Sequence, residues 1–216
     1  QNFDWEIVKN ILIDSIPFAL TALIGVGLTN VDTVMLGWLS TTTNVGYYSA
    51  ALRPVQLLFL FPILLSWAIF PLLSKRVGDG ASEAVLLEKG LTVIYMAALP
   101  FSVGGFLLAE FVIENFYGIS YASAVPIFKI LIFNVLLSHP ATILIHGILA
   151  NNHQKKTVKF ILAISLTNVI LNYFFILKWG MIGAAIATLI AQLVNTAGNY
   201  WVMYGITKFS PFNSLG

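Results

Sequence analysis

The stretch TNVILNYFFILKWGMIGAAIATLIA at residues 167–191 decides how this chain folds. Two strongly apolar runs meet there across a short Lys178-Trp179-Gly180 link, which predicts two membrane helices joined by a tight turn. The first carries Asn168 and Asn172, four residues apart and therefore on one helix face. The second opens with Gly183-Ala184-Ala185 and places Thr188 one turn further in. Hydrocarbon cannot satisfy such polar groups, so they need partners inside the protein or a water-lined path.

Working outward, the same pattern covers the whole chain. Of 216 residues 58% are hydrophobic and only 9% charged, with a mean hydropathy of +0.88. A soluble domain carries about 25% charged residues. No charge interrupts 15–31, 33–52, 54–74, 90–109, 130–154, 160–177 or 179–207. A membrane crossing needs about 20 mostly apolar residues. These runs predict an all-α, polytopic membrane protein with six transmembrane helices at 12–39, 45–73, 87–113, 121–150, 157–177 and 180–206. Residues 4–11 read as an interfacial lead-in, and the start at Gln1 rather than Met reads as a point within a longer chain.

Cysteine is absent, so disulfides, thiolate metal sites and cysteine nucleophiles are excluded. A net charge of +2 gives no basis for nucleic-acid binding. Lys75, Arg76 and Lys89 follow the second expected helix and Lys155, Lys156 and Lys159 the fourth, while the opposite side has Lys178. The positive-inside rule then places both termini and the two basic loops in the cytoplasm.

Polar residues within the spans are the functional candidates. Asp32, Asn168, Asn172 and Thr188 fall at a common depth of roughly 8–14 Å below the outer surface, from a rise of 1.5 Å per residue. Together they offer hard oxygen ligands for a small cation or a proton-coupled site; the alternative is a set of interhelical hydrogen bonds. Arg53, just before Pro54, suits capture of an anionic phosphate or an ion pair with Asp32. Lys129 is a further cation for the cavity, or snorkels to the headgroups as Glu110 and Glu114 can. His139 and His146, seven apart on one face, line a proton path or pack the bundle. Trp5, Trp38, Trp67, Trp179 and Trp201, with Tyr47, Tyr48, Tyr117 and Tyr121, fit interfacial belts. Prolines 17, 54, 62, 71, 100 and 140 predict helices that bend.

Several pieces, in order, resemble the C-terminal half of a polysaccharide flippase of the multidrug/oligosaccharidyl-lipid/polysaccharide exporter superfamily. They are Asn30-Val31-Asp32-Thr33-Val34-Met35-Leu36-Gly37, Val45-Gly46-Tyr47-Tyr48-Ser49-Ala50-Ala51-Leu52, Phe70-Pro71-Leu72-Leu73-Ser74, Tyr117-Gly118 with Tyr121-Ala122, Asn168 with Asn172, and Gly183-Ala184-Ala185-Ile186-Ala187-Thr188. The resemblance implies that residues 1–216 are one six-helix lobe of a transporter with twelve to fourteen helices, its N-terminal lobe absent. It implies a multi-pass protein of the cytoplasmic membrane that flips a lipid-linked glycan by alternating access, with no enzymatic activity and no cofactor beyond a coupling Na+ or H+. The pyrophosphate would meet Arg53, and a sodium site in this lobe would use Asp32, Asn168, Asn172 and Thr188. Asn172 stands where an acid can occur in relatives. A cation-coupled drug or metabolite antiporter is the alternative within the superfamily; a membrane-embedded lipid or sugar transferase and an assembly protein are more distant ones.

Overall fold

The computed structural model describes residues 30–209, with 154–163 described by their backbone only. The lead-in at 4–11, Pro17 and the expected first helix up to residue 29 lie outside the described residues. From Asn30 onward the chain is helical: α1 (Val31–Leu39), α2 (Thr42–Leu58), α3 (Leu60–Arg76), α4 (Gly80–Leu107), α5 (Ala109–Tyr117), a 3-10 turn (Ile119–Ala124), α6 (Val125–Leu131), α7 (Asn134–Ala150) and α8 (Gln154–Thr207). The described residues contain no strand. Local capping sets two of the starts. Thr41 accepts the Asn44 N–H at 3.3 Å to begin α2, and Asp79, between Gly78 and Gly80, accepts that of Ser82 at 3.3 Å to begin α4.

Three stretches are long and apolar enough to cross a membrane: Thr42–Arg76, Gly80–Leu107 and Ile164–Thr207. A fourth is the pair Ile119–Leu131 and Asn134–Ala150, bent by 46° at its break. The six-span count expected from the sequence is not reached among the described residues. Most of the first expected helix lies before residue 30, the fourth is broken, and the fifth and sixth form one element. That element is not straight. Gly180 sits at φ 56°, ψ −133°, a conformation open to glycine alone, and the helix reverses there. Residues 172 and 188 would stand about 24 Å apart on a straight helix, yet both bond one carboxylate, that of Asp32. The arms 154–179 and 181–207 therefore lie side by side, as the Lys178-Trp179-Gly180 link predicted.

Where lipid removes the hydrophobic drive for helices to associate, close packing of small side chains takes over. Ala184, Ala185 and Ala187 are fully buried, and Ala51, Ala98, Ala109 and Ala124 are buried with them. One buried cluster joins Leu36, Tyr48, Val55, Ile113, Leu131 and Ala184; a second joins Leu73, Leu87, Ile94, Leu144, Ile148 and Met203 toward the other end. The outside is apolar. Trp38, Leu57, Trp67, Met96, Leu107, Phe116 and Trp201 are each 65% exposed or more, a surface suited to acyl chains rather than water.

At Pro62 a side chain takes over from a missing backbone donor. Pro62 lacks the N–H that would bond the Leu58 carbonyl, and His139 Nε2–H donates to that carbonyl at 3.1 Å instead. His139 is fully buried, with its ring edge-on to Phe59. His146 Nδ1–H donates to the Thr142 carbonyl of its own helix at 2.8 Å. These bonds match the packing alternative for the pair. Substituting His139→Leu is expected to destabilise the protein by about 1–3 kcal/mol, the cost of an unpaired buried acceptor. Thermal unfolding in detergent checks this, and His139→Gln, which keeps a donor, should recover part of the loss.

Candidate functional site

Asp32 lies in the first turn of α1, and the Ser40-Thr41 turn brings α2 back beside it. Asp32 stands seven residues before the end of α1 and Tyr48 six residues into α2, which sets the two side by side. The Tyr48 hydroxyl donates to Asp32 Oδ2 at 3.1 Å and lies 3.3 Å from Thr188 Oγ1. Thr188 Oγ1–H donates to Asp32 Oδ2 at 2.6 Å. Asn172 Nδ2–H donates to Asp32 Oδ1 at 2.6 Å and lies 3.1 Å from Asn168 Oδ1. The structure thus brings Asp32, Asn172 and Thr188 into direct contact, with Asn168 joined through Asn172. The reversal at Gly180 makes this possible, because it aligns the two arms of α8 at equal distance from the turn.

Two features of this cluster bear on its chemistry. Among the described residues no cation pairs with Asp32; the ion pair there is Lys129 with Glu110, at 3.3 Å. Among the described residues the carboxylate is held by hydrogen bonds and has no counter-charge beside it. Asn172 Oδ1 is also buried without a hydrogen-bond partner, an acceptor left unused beside the carboxylate.

The cluster opens into a cavity of about 580 Å³ between α1, α2, α7 and both arms of α8. Asp32, Asn168 and Thr188 line one part of it. Gln56, Asn134, Ser165, Gln192 and Asn195 line the remainder together with the apolar Val31, Leu52, Phe59, Ile164 and Ala191. Thr188, Gln192 and Asn195 form one stripe along the second arm, and Asn172, Asn168 and Ser165 form its counterpart on the first.

The cationic candidates lie elsewhere. Arg53 is exposed, and its Nη1–H donates to Gln56 Oε1 at 3.3 Å. The ion pair with Asp32 weighed from the sequence is not formed. Arg53 follows Tyr48 by five residues, about 140° around α2, so it points away from the carboxylate that Tyr48 contacts. Lys129 does not border the cavity that holds Asp32. It reaches Glu110 and lies over the Phe106 ring at 5.7 Å, in a separate recess of about 370 Å³ with Glu114 and Pro126.

Tyr48 was placed in an interfacial belt by its residue type, and the structure corrects this: it is fully buried on Asp32. Its neighbour Tyr47 is half-buried, edge-on to Tyr121 at 5.6 Å. Gln56, Asn134, Ser165, Gln192 and Asn195 were also missed. The spacing of Thr188, Gln192 and Asn195 could have found two of them, since it repeats the helical period in polar rather than apolar residues. The described residues include no group of three or more His, Cys, Asp or Glu able to hold a metal ion.

The fold and the sequence both have known counterparts. A solved lipid II flippase, MurJ in an inward closed conformation, superposes with a TM-score of 0.74 at 22% identity, covering 93% of this chain and 44% of that one. A probable flippase of Haloferax volcanii, AglR, is 31% identical over 194 residues, and the probable low-salt glycan biosynthesis flippase Agl15 of the same organism is 24% identical over 167. A putative O-antigen transporter of Shigella flexneri is 26% identical over 160 residues. These alignments cover 86%, 76% and 74% of this chain but 40%, 35% and 38% of the relatives, so the chain spans about two-fifths of their length. Residues 1–126 match the family described as polysaccharide biosynthesis protein. That match takes in Asp32, Tyr48 and Gln56, and with the shared fold it carries the conclusion: this apolar helical chain, with its carboxylate bordering a cavity, belongs to the polysaccharide biosynthesis protein family.

Proposed function

We propose that this chain forms one lobe of a transporter that flips a lipid-linked oligosaccharide across the cytoplasmic membrane by alternating access. The observation that carries the reading is the Asp32–Tyr48–Asn172–Thr188 cluster bordering a cavity inside an apolar helical bundle. A buried carboxylate in a membrane protein is expensive and marks an ion or substrate path. The names of the similar proteins, flippases and a transporter, point the same way. Since the chain spans about two-fifths of their length, a second lobe supplied by the rest of a longer protein would close the cavity. Lobes of this kind rock about a site near the midplane. Both termini of this lobe are assigned to the cytoplasm from its basic loops.

The coupling ion is Na+ or H+. The donor set fits either: one carboxylate provides a single negative charge, and Asn168 Oδ1, Thr188 Oγ1 and the unpartnered Asn172 Oδ1 provide neutral oxygens. Asp32, Asn168, Asn172 and Thr188 would hold the ion, which would supply the positive charge the carboxylate lacks. Around it, Tyr48 orients the carboxylate, and the arms of α8 are tied to α1 through it. Binding at Asp32 would thereby bear on how three helical segments sit together.

Arg53 is assigned to the anionic phosphate of the lipid carrier. An exposed guanidinium on a membrane helix must face water, headgroups or a partner, and this one is held by Gln56 at the cavity edge. Arg53→Ala in the full-length protein is expected to lower flipping of lipid-linked oligosaccharide in proteoliposomes about tenfold or more, with normal insertion. Lys129→Ala, beyond the cavity, should change it little. Equal activity of Arg53→Ala and the unaltered protein would remove Arg53 from the substrate path.

A further inference from the structure

A recess away from the Asp32 cavity holds charges that do not balance. Glu110 and Glu114 stand four residues apart on α5 and share a face. Lys129 on α6 reaches Glu110 at 3.3 Å. Among the described residues the half-buried Glu114 carboxylate makes neither an ion pair nor a hydrogen bond. All three side chains line the recess of about 370 Å³, with Val125 and Pro126 beside them. Lys129 gives one of its N–H donors to Glu110, which leaves two free for a ligand. Glu110 is 72% exposed, and an ion pair so open to solvent yields readily to a competing anion.

The recess also lies at the level of a lipid headgroup. Glu114 and Glu110 stand three and seven residues before Tyr117, the end of α5, so both fall within about 10 Å of the chain reversal at Gly118. That end of the bundle is opposite the basic loops. Phe106 and Phe133 stand four residues nearer the membrane middle than Glu110 and Lys129, and their rings meet at 5.7 Å. Both rings are exposed, as is Val103 one turn further in, and Lys129 Nζ lies over the Phe106 ring. The charges therefore cap an exposed apolar surface.

We propose that this recess binds the headgroup of a zwitterionic phospholipid that carries a primary ammonium, with its acyl chains along Phe106 and Phe133. The ammonium donates to Glu114, and the phosphate takes the two remaining donors of Lys129. A quaternary ammonium has no N–H to give Glu114. An anionic phospholipid brings no cation for Glu114 and adds a negative charge to a recess that already holds two carboxylates against one ammonium. The site lies outside the transport path and does not depend on the flippase reading.

The test uses the full-length protein in dodecyl maltoside, titrated with phosphatidylethanolamine, phosphatidylcholine or phosphatidylglycerol of the same acyl chains. Native mass spectrometry counts the bound lipid. The unaltered protein is expected to bind phosphatidylethanolamine about tenfold more tightly than the other two, the worth of one charge-assisted hydrogen bond. Glu114→Gln should lower its affinity to that of phosphatidylcholine and leave phosphatidylcholine unchanged. Lys129→Ala should weaken phosphatidylethanolamine and phosphatidylcholine alike, because both present a phosphate, and Lys129→Arg should retain both. A Glu114→Gln protein that keeps the full preference, or that loses all three lipids equally, would overturn the site. So would a Lys129→Ala protein with undiminished affinity, or an unaltered protein without preference among the lipids. Glycerophosphoethanolamine, the same headgroup without chains, should compete far more weakly than the lipid. Equal potency would show that the recess takes a water-soluble compound and would overturn the lipid assignment.

Discussion

Asp32→Asn is expected to give a protein that inserts and folds normally but whose transport no longer responds to sodium or pH. Asparagine keeps the shape of the side chain and an oxygen to accept from Thr188 and Tyr48, which now bond the carboxylate. Its amide N–H groups would face the Asn172 Nδ2 that now donates to Asp32 Oδ1. Turning the Asn172 amide would offer its unpartnered oxygen to that N–H, at the cost of the Nδ2 bonds to the Asn168 carbonyl and Oδ1. What the variant lacks is the charge, and with it the attraction for a cation. Coupling free energies of 1–3 kcal/mol correspond to about 5–150-fold, so the stimulation of flipping by a sodium or proton gradient should fall from that range to none. Flipping assayed in proteoliposomes, with the gradient imposed or collapsed, measures it. A variant that keeps the full gradient dependence would reduce Asp32 to a packing residue. Sodium and proton coupling separate in the unaltered protein, since sodium coupling persists at constant pH and proton coupling persists without sodium.

Gly183→Val is expected to have the largest structural effect of any single change in the chain. A Cβ at position 183 would stand 2.0 Å from the carbonyl oxygen of Phe175 and 2.4 Å from its carbon. These are backbone atoms of the opposing arm, so no side-chain rotation relieves the overlap. The arms of α8 must part, and Asn172 and Thr188 can then no longer reach one carboxylate. The cost should exceed about 4 kcal/mol, beyond the ordinary range for point substitutions. Loss of the folded protein from membranes, or a collapse of its thermal transition, is the readout. Even Gly183→Ala should be severe, because alanine already carries the offending atom. A stable Gly183→Ala protein would show that the close approach at Phe175 does not hold the hairpin shut.

Much of this fold is determined by the order of its residues. Long runs without charge can only be satisfied as helices in hydrocarbon, where every backbone group must find its partner within its own segment. The position of the reversal was equally legible, because Lys178-Trp179-Gly180 is the sole break between two apolar runs and glycine opens the required conformation. Asp32, Asn168, Asn172 and Thr188 stood out for the same energetic reason: polar groups are rare and costly at that depth.

The tertiary structure decided which of these groups meet and which do not. Asp32 and Thr188 are separated by 156 positions in the chain, and equal depth gave them only the opportunity to meet. Rotation about each helix axis completes the contact, and that is set by packing among Ala184, Ala185 and the residues they touch. The same rotation turned Arg53 away from Asp32 and Tyr48 toward it, although both lie on α2. Residue type pointed to a belt for Tyr48 and a cavity for Lys129, yet neighbours outweighed type in both cases. His139 shows the general reason. Its partner is a carbonyl released by Pro62, and no local pattern in the sequence tells a histidine which distant proline has left a carbonyl open. In a membrane the cost of an unpaired polar group fixes that pairing must occur, and only the assembled bundle fixes with whom.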